Sequence, residues 1–194
     1  MASLVLSGDT SGSITVSAPA VAGSTTQTLV NVTGTLAPIV SGTAVTASGT
    51  SVDFTGIPSW VKRITVMFNG VSISGTSSIQ TQLGTSGGVQ TTGYNSNAAQ
   101  LANGAGVSVL ASTTGFVNNA ASAAQAYSGQ YIFSLLDSSS GLWVLHGAVG
   151  VDGTATLMTT TGKKTLSGTL DRVRITTVNG TDTFDAGTIN LLWE

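Results

Sequence analysis

From residue 51 onward, short segments with alternating residue types are separated by turn-forming residues. In the run 64–68, apolar side chains occupy every second position, which is the spacing of a half-buried strand. Asn69-Gly70 follows at once and predicts a type I′ hairpin, because both residues tolerate positive φ. Helical periodicity is confined to a candidate short turn at 120–126. The sequence therefore predicts an all-β fold, an antiparallel β-sandwich of jelly-roll type.

The same alternation predicts where the strands and the core lie. Beyond the run 61–68, strands are predicted at 79–83, 130–136, 142–149, 154–160, 172–177 and 188–193. The residues expected to be largely buried are Phe54, Trp60, Ile64, Val66, Phe68, Leu135, Val144, Ile175, Leu191 and Trp193. The stretch 84–129 has few large residues and is interpreted as long loops over one end of the sandwich, either for binding or for packing alone.

Residues 1–50 differ in composition from residues 51–194. They contain a single charged residue, Asp9, and no aromatic residue, so they have little with which to close a core. Their β-prone runs, 13–17 and 28–33, are separated by Gly, Ser and Pro. We interpret residues 1–50 as an extended N-terminal attachment arm that orders against its own domain or a neighbouring subunit, and residues 51–194 as the β-sandwich domain. A flexible linker is the alternative.

Charged residues make up only 7% of the chain, and the formal net charge is −2 with six basic residues. This balance provides no electrostatic footprint for nucleic acid or for an anionic membrane, and no apolar stretch is long enough to span one. Because a soluble monomer normally carries more surface charge, the composition predicts a homotrimer with neutral contacts.

The basic residues are the candidates for charged subunit contacts. Lys62-Arg63, Lys163-Lys164 and Arg172 with Arg174 form three pairs along the chain. Their expected partners are the acidic residues Asp53, Asp171 and Glu194. Solubilising charges on edge strands are the alternative interpretation.

No pattern in the chain predicts an enzyme. The single histidine, His146, lies in a predicted strand and is interpreted as a core or interface residue. The run 84–88 matches the nucleophile pattern G-x-S-x-G, but no helix pattern follows it. Asp182 and Asp185 are interpreted as turn residues, with Ca²⁺ binding as the alternative. We therefore expect no catalytic residue, no cofactor and no metal centre.

A carbohydrate-binding module is the competing class of function. Such a module would present aromatic rings in its end loops, and the candidates for glycan contact are Tyr94, Tyr127 and Trp143. Two or more of these rings exposed on one face would favour this class.

Four segments of the chain carry a family resemblance: 7–16, 19–23, 53–68 and 184–193. They resemble structural proteins of tailed bacteriophages, of the tail-fibre and virion-surface kind. The resemblance implies a β-rich, often trimeric domain that is made in the host cytoplasm and fixed to the virion by an N-terminal segment. The implied partners are capsid or tail proteins, bound through residues 1–50, and host surface polysaccharide. Long repeats and coiled-coil heptads are missing from the sequence, so a place on the tail and a place on the head both stay open.

Overall fold

A computed structural model of the chain describes residues 3–7, 11–17, 38–119 and 122–194. The chain divides into two units, the first ending at Leu36 and the second running from Ala37 to Glu194. In the first unit, β1 (Ser3–Ser7) pairs antiparallel with β2 (Ser13–Ser17). The strand predicted at 13–17 is therefore confirmed, whereas the run 28–33 lies outside the described residues.

The second unit consists of two antiparallel sheets. Its strands are β3 (Val40–Ser41), β4 (Val45–Thr46), β5 (Ser51–Thr55), β6 (Arg63–Ile73), β7 (Ile79–Thr85), β8 (Gly88–Val89), β9 (Tyr94–Ala102), β10 (Ser108–Ser112), β11 (Phe116–Val117), β12 (Tyr127–Asp137), β13 (Leu142–Val151), β14 (Thr156–Thr165), β15 (Arg172–Thr177) and β16 (Phe184–Trp193). The large, nine-stranded sheet has the order β10-β9-β14-β13-β12-β6-β16-β3, with β4 also on β16. The small, five-stranded sheet has the order β11-β7-β15-β5, with β8 also on β7.

The core lies between these two sheets. Phe116 of the small sheet packs edge-on against Phe133 of the large sheet, with ring centroids 5.5 Å apart. Phe116 also contacts Tyr94 of β9, at 5.1 Å. Aliphatic residues of both sheets, such as Ile64 and Ile175, are fully buried around these rings. The predicted antiparallel β-sandwich is confirmed, and its jelly-roll form stays a prediction.

The hairpin predicted at Asn69-Gly70 is wrong. β6 continues through both residues to Ile73, although Gly70 does adopt a positive φ of +60°. The register with β16 shifts at Gly187, which has a φ of +89° and lies against the Gly70 carbonyl. The positive φ of these glycines therefore accommodates a β-bulge between two long strands, where the sequence predicted a hairpin turn.

The predicted core is only partly correct. Ile64, Val66, Phe68, Ile175 and Leu191 are buried, while Phe54, Leu135 and Trp193 are half-buried. Trp60 was wrongly placed in the core, because it lies in the β5–β6 connection and is 37% exposed. Val144 is half-buried because β13 turns its odd-numbered residues, such as Trp143 and Leu145, towards the core. The position of β13 was therefore predicted correctly, but the wrong set of alternate residues was expected to face the core.

Residues 84–129 contain more regular structure than the loop interpretation allowed. β9 spans nine residues here and pairs with both β10 and β14. The short turn predicted at 120–126 is seen within 122–126, where the Gln125 N–H donates to the Ser122 carbonyl (3.3 Å), and the other two residues lie outside the described part. Small residues therefore build strands here, because cross-strand pairing needs backbone groups more than bulky side chains. No helix in the described residues is long and apolar enough to cross a membrane.

The last part of the predicted arm pairs with the chain's own large sheet. Ser41 and Val40 lie opposite Leu192 and Trp193 of β16, and Val45 lies opposite Ile189. Residues 38–50 thus order against the domain that follows them, one of the two surfaces expected for the arm.

Candidate functional site

A pocket of ≈290 Å³ opens at one end of the sandwich, where three connections meet. These are the β5–β6 connection, the β12–β13 turn and the β14–β15 connection. Trp143 and aliphatic side chains such as Leu166 line it together with hydroxyl groups and Lys62. The hydroxyl-bearing residues of the lining are Ser59, Ser138, Ser139, Ser140, Ser167 and Thr169. The lining therefore combines apolar surface, hydroxyl groups and one ammonium group.

Asp137 organises the turn beside this pocket. Its carboxylate accepts hydrogen bonds from the Ser140 hydroxyl (2.7 Å), the Ser139 hydroxyl (2.8 Å) and the Ser139 N–H (2.9 Å). These donors stabilise the ionised form and lower the pKa of Asp137 to about 2. The arrangement is an Asx turn, so the carboxylate has a structural role that explains its geometry.

The three predicted glycan contacts do not form an exposed aromatic face. Tyr94, Tyr127 and Trp143 are only 3%, 1% and 2% exposed. The Tyr94 hydroxyl accepts from the Leu83 N–H (2.7 Å) and donates to the Gln90 carbonyl (2.8 Å), and burial raises its pKa. The interpretation as surface rings was therefore wrong, since all three point between the sheets. Trp143 alone lines the end pocket.

His146 is exposed on the outer face of the large sheet, which excludes the core position and leaves the predicted interface position as a prediction. Its cross-strand neighbours are Ile132 and Thr161, and neither supplies a carboxylate. Ser86 of the G-x-S-x-G match lies in the tight connection between β7 and β8, with no helix after it. The structure does not bring the histidine and these predicted motif residues into one pocket lining.

Asp182 lies in the β15–β16 turn as predicted, whereas Asp185 was wrongly interpreted as a turn residue, because it is the second residue of β16. Asp182 accepts from the Asn179 amide (2.8 Å) and the Ser77 N–H (2.9 Å), which lowers its pKa. Asp185 accepts from the Ser72 hydroxyl. Among the described residues, no group of three or more His, Cys, Asp or Glu side chains is placed to hold a metal ion.

The predicted ion pairs form, but within one chain. Arg174 makes two bonds of 2.7 Å to Asp53 across β15 and β5. Arg172 contacts the neighbouring Asp171 at 2.9 Å, and Arg63 contacts Glu194. All three predicted acidic partners thus pair with arginines, and strand pairing brings Arg174 opposite Asp53. Lys164 instead donates to the Thr92 carbonyl (2.8 Å). The role of these pairs in subunit contacts stays a prediction.

Two exposed strand surfaces stand out: β10, which the sequence did not identify as a candidate, and the hairpin within the predicted N-terminal arm. β10 ends the large sheet, with Val109 77% and Leu110 36% exposed. In the first unit, Val5 and Leu6 are each 53% exposed and Val16 is 60% exposed. Exposed aliphatic residues on strands mark surfaces for association. The apolar run 109–111 between two serines was the available signal, and it was assigned to a loop.

No known protein family, curated protein or solved structure matches this chain.

Proposed function

We propose that this chain is a non-enzymatic structural protein of a bacteriophage virion. It is a short fibre or decoration protein that assembles as a homotrimer and attaches to the particle through its N-terminal segment. The observation that carries the proposal is the exposed β1–β2 hairpin. An isolated two-stranded hairpin is marginal in water, so a hairpin of this kind needs an accepting surface.

The residue types of the hairpin support an attachment role. Leu4 lies opposite Val16, and Leu6 lies opposite Ile14, in the backbone register of the two strands. No charged residue occurs in either strand. Strand addition to a sheet edge fits such a segment, because backbone hydrogen bonds supply affinity and aliphatic residues fill pockets.

The second unit supports a structural role of a different kind. Its aromatic residues and its ion pairs are internal to the unit, as the contact of Phe116 with Phe133 and that of Arg174 with Asp53 illustrate. Such a unit should fold without the hairpin.

The test is deletion of residues 1–36. The cut precedes β3 and β4, which belong to the large sheet, so the deletion should leave β-type circular dichroism and a cooperative melt. Incorporation into particles of the encoding phage should be lost. As a matched comparison in the full chain, Val5→Asp should reduce incorporation, and Gln130→Asp, at an exposed position of β12, should not. Full occupancy of particles by the truncated protein would transfer attachment to the second unit.

The end pocket favours a second candidate, a carbohydrate-binding module. Its lining brings hydroxyl groups from three connections together with aliphatic side chains and Lys62. Calorimetric titration with host surface polysaccharide fragments tests it: Ser139→Ala and Ser167→Ala should weaken binding, and Gln130→Ala should not. Equal heats for all variants would remove this candidate.

A further inference from the structure

The free side of β10 is an unprotected sheet edge. β10 pairs with β9 in regular register over Ser108–Ser112, and no other described strand pairs with it. Its sequence, Ser-Val-Leu-Ala-Ser, contains no charge and no proline. Exposed, uncharged edges of this kind template the addition of another strand.

The other edges of the two sheets are protected. At the opposite end of the large sheet, β3 and β4 are two residues long each. In the small sheet, β11 is also two residues long, and β5 carries Asp53 in its ion pair with Arg174. Short strands and charges discourage edge pairing, so β10 is the edge of these two sheets that is best suited to accept another strand.

β1 matches this edge in length and in residue types. Both strands have five residues, with serine at each end and three apolar residues between. An antiparallel pairing places Val5 opposite Leu110 and Leu6 opposite Val109. The described side chains of these pairs are all exposed, so pairing would remove apolar surface from water on both partners.

We propose that the free edge of β10 accepts β1 from the hairpin of a second copy of this chain. The inference rests on the proposed function, in which copies assemble and the N-terminal segment is the attaching element. Each copy then donates β1 and offers β10, a head-to-tail contact that closes as a ring of three when successive copies are related by a third of a turn. The outer edge of β2 stays free for the particle.

Single cysteines test the pairing directly, because the full chain has none of its own. Val5→Cys and Leu110→Cys variants of different tag mass are mixed, allowed to exchange and oxidised. Residues opposite each other on antiparallel strands have Cα atoms about 4.5–5.5 Å apart, within reach of a disulfide. We expect a disulfide between the two different variants. Val5→Cys mixed with Gln130→Cys is the matched control, and it should remain uncrosslinked.

Each other outcome of this experiment overturns the proposal. Dimers of Leu110→Cys alone would mean that two β10 edges pair, and dimers of Val5→Cys alone would mean that two hairpins pair. Exclusively intrachain bridges in the Val5→Cys, Leu110→Cys double variant would make the occupant the same chain's hairpin. If no disulfide forms in any mixture, β1 of a second copy is not the partner of β10.

Sedimentation measurements distinguish a failure of pairing at β10 from a failure of the assembly in the proposed function. Val109→Lys would place an ammonium group in the new contact, and it should raise the dissociation constant of self-association about tenfold or more. Gln130→Lys should leave the constant unchanged. A trimer unaffected by Val109→Lys would refute pairing at β10, whereas a full-length protein that is only monomeric at micromolar concentration would refute the assembly itself.

Discussion

β12 and β10 belong to the same sheet, yet they meet their surroundings in opposite ways. β12, in the middle of the sheet, buries Tyr131 and Phe133 against the small sheet. β10, at the end, leaves Val109 and Leu110 exposed. The comparison shows that apolar residues alone do not define the core of this chain. Strand position decides whether they stabilise the fold or form a surface for another strand.

Truncating one residue in each region should give the largest contrast. Phe116→Ala removes the fully buried ring that contacts both Tyr94 and Phe133, so it should lower the free energy of unfolding by about 3–5 kcal/mol. Val109→Ala, at a position 77% exposed, should change it by less than about 0.5 kcal/mol. Urea unfolding of monomeric protein measures both. Comparable losses at the two positions would mean that β10 is buried in the isolated protein.

The β16 bulge opposite β6 offers a second contrast, between a packed glycine and an open one. A Cβ at Gly187 would lie 2.4 Å from the Gly70 carbonyl oxygen, and φ is +89°, so Gly187→Ala combines a clash with backbone strain. Gly153→Ala, with φ +72° and open space, retains the strain alone, worth about 1–2 kcal/mol. Thermal unfolding should show the greater loss for Gly187→Ala. Equal losses would show that the bulge relaxes without cost.

The sequence predicted the strands well where turn residues bounded an alternating run. Arg172–Thr177 and the Ser138–Gly141 turn occur as expected, because alternation and turn chemistry are local properties. The phase of β13 was not predictable in the same way. Its two faces carry Trp143 and Leu145 on one side and Val144 and Ala148 on the other, so both are apolar.

The candidate surfaces were harder to predict than the strands. Tyr94 and Tyr127 lie in a stretch of small residues that resembles exposed loop sequence, and only their cross-sheet contacts show that they are buried. The edge position of β10 depends on which strands pair far along the chain, as in its contact with β9 and the contact of β9 with β14. Local pattern contains no information about that order.

At the edge of the small sheet, the ion pair between Arg174 and Asp53 should contribute little to stability. The two side chains are 37% and 36% exposed, so solvent screens a contact whose geometry is nevertheless bidentate. A double-mutant cycle with Asp53→Asn and Arg174→Gln should give a coupling energy of about 0.2–1 kcal/mol, decreasing with salt. A much larger, salt-insensitive coupling would indicate that this edge is covered by another chain.

The smallest effect is expected in the turn beside the end pocket. The Ser140 and Ser139 hydroxyls lower the pKa of Asp137 to about 2, below the value of about 3.9 expected for an unfolded chain. Because the folded pKa is the lower one, the contribution of this carboxylate to stability is present above about pH 4 and is lost as the pH falls towards 2.

Ser140→Ala removes the strongest donor and should move the pKa upward in an NMR titration of the Asp137 carboxyl carbon. Ser138→Ala, which removes a hydroxyl that does not bond to Asp137, should leave it in place. An upward shift in both variants would show that the turn as a whole, and not the Ser140 hydroxyl, sets the pKa. The turn beside the end pocket would then be flexible, although the hydrogen bonds of Asp137 indicate a rigid turn.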